Sequence, residues 1–127
     1  MPVRGRDRST PATAVFVDGA GEEDRAYHLV VFGEPMAAVG VATLDAASGE
    51  LSSWAALPGT GPHLLIGARE ARERAGVAPD TRARLMWTSS RASRSPLYPF
   101  WALGAGDHVR YVDQQGTVWR SLREDRA

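Results

Sequence analysis

Twice in this chain an aspartate opens, and a glycine closes, a short polar break between two runs of β-forming residues. In "VATLDAASGELSSW" the break is Asp45 to Gly49; in "HVRYVDQQGTVWRSL" it is Asp113 to Gly116. The aspartate side chain bonds the turn backbone, and glycine accepts the positive φ that returns the chain. Two hairpins follow, one with arms 37–44 and 50–57, the other with arms 109–112 and 117–122. These breaks are folding signals, so neither Asp45 nor Asp113 is assigned any chemistry.

The remaining strands are read from short apolar runs between turn residues. "TAVFV" (13–17) is stopped by Asp18-Gly19-Ala20-Gly21 and followed by the acidic loop Glu22, Glu23 and Asp24. "AYHLVVFG" is apolar on both faces, which predicts a central strand covered on both sides. "TRARLMWTSS" places Ala83, Leu85 and Trp87 on one face and Arg82, Arg84 and Met86 on the other. "YPFWAL" is a strand that Pro99 restricts to an edge or a bulge.

Only one stretch has a helical period. In "GPHLLIGAREARERAG", Leu64, Ala68, Ala71 and Ala75 share a face, and five charged residues, Arg69 to Arg74 without Ala71, fill the rest. This predicts a helix over about 62–75, with Thr60 or Gly61 as N-cap and Gly76 as C-cap. Strands, one helix and strands again predict an α+β domain over 12–123. Its sheet is curved and antiparallel, of about six to eight short strands, packed on that one central helix. Residues 1–11 read as a disordered N-terminal tail and 124–127 as a C-terminal tail.

With 127 residues the chain is the size of one domain and needs no disulfide to hold a core. It has no cysteine, which removes disulfides, thiolate nucleophiles and cysteine zinc sites. No apolar run approaches the roughly 20 residues of a membrane span, and no signal sequence is legible, so a cytoplasmic location is expected. The motifs Gly-x-Ser-x-Gly, HExxH and the Walker loop are absent. His28, His63 and His108 form no metal-spaced pair, so neither a metal nor a cofactor is expected. Asp18, Glu34, Glu50 and Asp107 sit at turns or strand ends, where nothing local tunes a carboxylate for acid–base work. "GTGPH" (59–63) joins glycines to a helix start and is read as a cap.

All fifteen basic residues are arginines, which points to a GC-rich coding source and weakens any argument from Arg enrichment. Residues 1–67 carry four Arg against eight acids and residues 68–127 carry eleven Arg against seven, so the halves stand at −4 and +4. The net charge is zero, which gives no general attraction to nucleic acid or to a membrane.

The most pointed stretch lies between residues 82 and 101. Arg82, Arg84, Arg91 and Arg94 flank Trp87 and several serines, and Tyr98, Phe100 and Trp101 follow beside Pro96 and Pro99. Joined by Trp119 from the last hairpin, they make an aromatic and Arg-rich surface. Aromatic anchors with complementary charge suit a protein partner. The expected function is therefore a non-catalytic binding or accessory module. An edge strand at 98–103 also offers pairing to a second copy, a homodimer. The alternative is a small-molecule pocket between sheet and helix, isomerase-, cyclase- or hydrolase-like, or a carrier. In that case mid-strand His28 is the first candidate base.

"SPLYPFWALGAGDHVRYVDQQGTVW" resembles a C-terminal pattern, SPxxPFW…YVDxxGxV, of small uncharacterised actinobacterial proteins. It covers about a fifth of the chain. The resemblance implies no activity, so no functional residue is carried over. "VATLDAASGELSSW" is similar to hairpins of PepSY-type domains.

Overall fold

Both aspartate–glycine breaks turn where the sequence puts them. Asp45 Oδ1 accepts the N–H groups of Ala47 (2.8 Å) and Ser48 (2.9 Å), and Gly49 closes the turn at φ +77°. Asp113 Oδ1 accepts those of Gln115 and Thr117, both at 2.9 Å, and Gly116 closes it at φ +89°. The computed structural model describes residues 10–21 and 23–122. The first half holds β1 (Ala12–Gly19), β2 (Tyr27–Glu34), β3 (Ala37–Asp45) and β4 (Leu51–Ala56). One helix follows, α1 (Ala68–Ala75). The second half holds β5 (Ala83–Trp87), β6 (Phe100–Leu103), β7 (Arg110–Val112) and β8 (Val118–Trp119).

The strands form one sheet in the order β4-β3-β2-β1-β5-β6-β7-β8. Every neighbouring pair is antiparallel except β1 and β5. The architecture is therefore two four-strand meanders joined at one parallel seam. That seam is short: only Asp18 with Met86 and Gly19 with Trp87 are in register. Parallel neighbours need a long crossover, and residues 57–82, with α1 inside them, supply it.

The crossover covers one face of the sheet, here the inner face. On the first meander Val17, Tyr27, Leu29 and Val41 are buried with Leu85 of β5, and Leu57, Leu64 and Leu97 pack against them. On the second, Leu103 and Val112 are buried with Ile66 and Ala71 of the crossover. Tyr27 gives its phenol proton to the carbonyl of Pro96 at 2.6 Å. Burial, with the nearby Asp24 charge, holds that phenol well above its usual range.

Four expectations are corrected. The helix is shorter than 62–75 and is capped by Gly67, which has extended backbone (φ −89°). Gly61 cannot cap it, because its N–H bonds Met36 O and its carbonyl accepts Ala38 N–H. The backbone from 61 to 66 is thus tied to the sheet rather than coiled. Gly76, as expected, is the left-handed C-cap. Nor is the helix central: its contacts gather on β5, β6 and β7.

The strand at 98–103 is not an edge. β6 is paired with β5 on one side and β7 on the other, so its backbone groups are already committed. A homodimer through 98–103 is therefore ruled out by this pairing. Pro99 is accommodated because it precedes the ladder and has no N–H to place. Finally, β2 is central by pairing but covered on one side only. Tyr27 and Leu29 are buried, while His28 and Phe32 on the outer face are exposed.

The expected tails lie outside the described residues except Thr10 and Pro11. Pro11 is already tied in, its carbonyl accepting the Gly33 N–H at 2.9 Å.

Asp45 yields a test of the turn. The N–H groups of Ser48 and Ala47, then the Arg25 guanidinium at 2.8 Å, hold its carboxyl below the usual range. A depressed folded value stabilises the fold above the unfolded value of about 3.9, and that contribution fades as pH falls through the folded value. Asp45→Ala is expected to lower the urea midpoint at neutral pH and to converge with the parent in strong acid. A gap that does not change with pH contradicts the assignment.

Candidate functional site

The proline-broken segment 96–99 cannot use a β ladder for its carbonyls, yet backbone acceptors taken from water need donors. Side chains from three distant elements supply them. Tyr27 of β2 bonds Pro96 O, His63 of the crossover donates Nε2–H to Leu97 O (2.5 Å), and Gln114 of the last turn donates Nε2–H to Pro99 O (3.0 Å). The same Gln114 accepts the Ile66 N–H through Oε1 at 3.0 Å. Trp101 Nε1–H bonds Ile66 O at 2.8 Å. The Ile66 residue is thus held through both its polar backbone groups by side chains of the second meander.

These bonds draw the crossover, the 88–98 loop and the β7–β8 turn together, and a cleft of about 410 Å³ opens between them. One wall is His63 with Tyr98, whose rings lie tilted at 4.7 Å between centroids. Leu65, 60% exposed, extends that apolar wall. The other wall is Trp119, with the Arg91 guanidinium 4.8 Å from its ring centroid, a cation–π contact. The floor is the Asp113–Gln114–Gln115 turn with Thr117. Asp113 accepts two backbone N–H groups through Oδ1 and the Trp119 indole N–H through Oδ2 (3.0 Å). Its carboxylate therefore shapes the turn and orients the indole. Gly116 is required beside it, because its φ of +89° is a conformation that residues with a side chain rarely adopt.

Of the nine expected site residues, three meet here: Arg91, Tyr98 and Trp119. The others are distributed elsewhere. Phe100 is fully buried, edge-on to Tyr111 at 5.7 Å. Trp101 is half-buried and bonded to Ile66. Trp87 donates to Ser93 Oγ (3.2 Å) and lines a second, smaller cleft of about 260 Å³ with Tyr27 and Pro96. Arg82 and Arg84 stand at the β1–β5 seam beside Phe16 and Asp18. Arg94 is exposed on the 88–98 loop. His28 is exposed on the outer face, edge-on to Phe16 at 5.8 Å.

The reading of sequence missed His63, Leu65 and Gln114. "GTGPH" draws attention to glycines, while the partner of His63 is Leu97, 34 residues away. Gln114 stands in a turn whose Asp and Gly already explain it. Only the unusual pair of glutamines between them marks the position as more than a turn.

Among the described residues no group of three His, Cys, Asp or Glu side chains is placed to hold a metal ion, and no helix is long and apolar enough to cross a membrane. The cleft holds an apolar slot between two aromatic walls, one cationic group and a turn rich in amides.

Gln114→Ala leaves the Ile66 N–H and the Pro99 carbonyl without their partner inside the protein, an expected loss of about 2–4 kcal/mol. Gln115→Ala, on the exposed side of the same turn, is expected to stay within about 0.5 kcal/mol. Denaturant unfolding compares the two; equal losses contradict the role given to Gln114. No family model, no curated protein and no solved structure matches this chain.

Proposed function

We propose that this chain is a non-catalytic binding module that recognises a protein partner through the cleft between Tyr98 and Trp119. The observation that carries the reading is the pairing of two aromatic walls, exposed Tyr98 and half-buried Trp119, with the Arg91 guanidinium stacked on Trp119. Tyr98 is 44% exposed although its ring already rests on His63, so its outer surface is presented to a ligand. Tyrosine, tryptophan and arginine are the side chains that most often dominate protein recognition. An apolar or aromatic side chain of the partner fits between the walls, and a carboxylate next to it in the partner meets Arg91. Zero net charge supports a protein rather than a nucleic acid as the partner. A cytoplasmic location, and membership of the actinobacterial family with the SPxxPFW pattern, remain part of this proposal.

The small-molecule reading needs a pocket between sheet and helix. That space is filled by Val17, Leu29, Val41 and Leu85, and His28 points to the other side of the sheet. These placements support recognition over acid–base chemistry at His28.

The test is capture from the native host's lysate by the parent protein, Arg91→Glu, Tyr98→Ala and the helix-surface control Arg69→Ala. A stoichiometric protein held by the parent and the control, and released at least ~10-fold by either cleft variant, is the expected result. Equal capture by all four proteins overturns the cleft as the recognition surface.

A further inference from the structure

The outer face of the first meander is apolar and uncovered. Cross-strand partners share a face, so the register defines its composition. One row runs Phe16, His28, Leu44, Leu51; the next runs Ala14, Val30, Ala42, Trp54; the third runs Ala12, Phe32, Gly40, Ala56. Twelve positions contain no charged side chain other than a histidine. Phe16 is 53% exposed, Phe32 38%, Leu51 58% and Trp54 69%. The inner face of the same strands, by contrast, is closed by the crossover.

Four such side chains leave on the order of 400 Å² of apolar surface open, at about 200 Å² for a fully exposed one. That is half of the ~800 Å² each partner gives to a standard interface, and the intervening Val30, Leu44 and alanine surface adds to it. A patch of this size on a soluble domain marks a contact surface. Sheet faces pack on other sheet faces about 10 Å apart.

We propose that two copies of this chain pack outer face to outer face through β1–β4, forming a dimer that leaves both clefts open. The area argues for a second copy, and so does the charge pattern. The twelve β1–β4 positions bring no like charges together when the face meets itself, and at its β5 margin Arg82 and Arg84 are accompanied by Asp18. Residues 1–9 are an unsuitable cover: they carry Arg4, Arg6, Asp7 and Arg8 and only Met1, Pro2 and Val3 as apolar groups. The cleft is lined by the crossover, the 88–98 loop and the β7–β8 hairpin and shares no residue with the β1–β4 face, so the dimer does not use the cleft's own side chains.

Sedimentation velocity across micromolar concentrations reads the mass directly. The parent is expected at twice the 13.7 kDa of one chain. Phe16→Lys and Trp54→Glu change exposed positions, so circular dichroism should show them folded. Each is expected to weaken the dimer on the order of 100-fold, since a charge would be buried on both copies. Tyr98→Ala should leave the mass unchanged. Ala56→Pro separates face from edge packing. Leu57 N–H bonds Val39 O, so by alternation the Ala56 N–H points away from β3 and serves only a strand added at the edge. A dimer that survives Ala56→Pro and dissociates with Trp54→Glu is the predicted pattern. A monomeric parent, a dimer indifferent to Phe16→Lys and Trp54→Glu, or one broken only by Ala56→Pro overturns the proposal.

Discussion

A polypeptide that crosses the face of a sheet must find partners for backbone groups that no ladder satisfies. Here that requirement concentrates at Ile66. Its N–H is taken by Gln114 and its carbonyl by Trp101, both from the second meander. Its side chain is buried with Ala71, Leu103 and Val112. One residue of the crossover is thereby fixed in position, and α1 can begin at Ala68 directly after it. The helix is eight residues long, too short to be stable alone in water, so its placement follows from this anchor and from packing.

The same glutamine links the fold to the cleft. Because Gln114 spans Ile66 and Pro99, it ties the crossover, the proline segment and the last turn together. The aromatic side chains are divided by this arrangement. Phe100 and Trp101 point to opposite faces of β6, and both are committed to packing. Tyr98, one residue before Pro99, lies outside the ladder and keeps an exposed ring. The prolines that make regular structure difficult are what leave Tyr98 at the rim while its neighbours enter the core. Side-chain donors replacing a ladder cost little here because each buried carbonyl receives one.

Much of the architecture is legible in local sequence. The two aspartate–glycine turns, the four-strand, helix, four-strand order and the glycine C-cap all depend on residues within a few positions of each other. What misleads is long-range. The period through Leu64 suggests a longer helix, but Gly61 and Ile66 are claimed by Met36, Ala38 and Gln114, contacts no window of sequence contains. Pro99 suggests an edge strand, yet a proline just before a ladder is compatible with an interior one. The apolar pattern of β2 suggests cover on both faces; in fact Phe32 and His28 remain open. The site was legible only at Arg91, Tyr98 and Trp119. His63 and Gln114 act through carbonyls 34 and 15 residues away, and a carbonyl carries no sequence signal.

The most direct measurement is hydrogen–deuterium exchange of the protein alone and bound to its captured partner. Recognition by the cleft predicts new protection confined to three segments: residues 63–66, 91–98 and 113–119. Protection confined to β1 and β2, with those three segments unchanged, would place the partner on the outer face and contradict the cleft as the binding site.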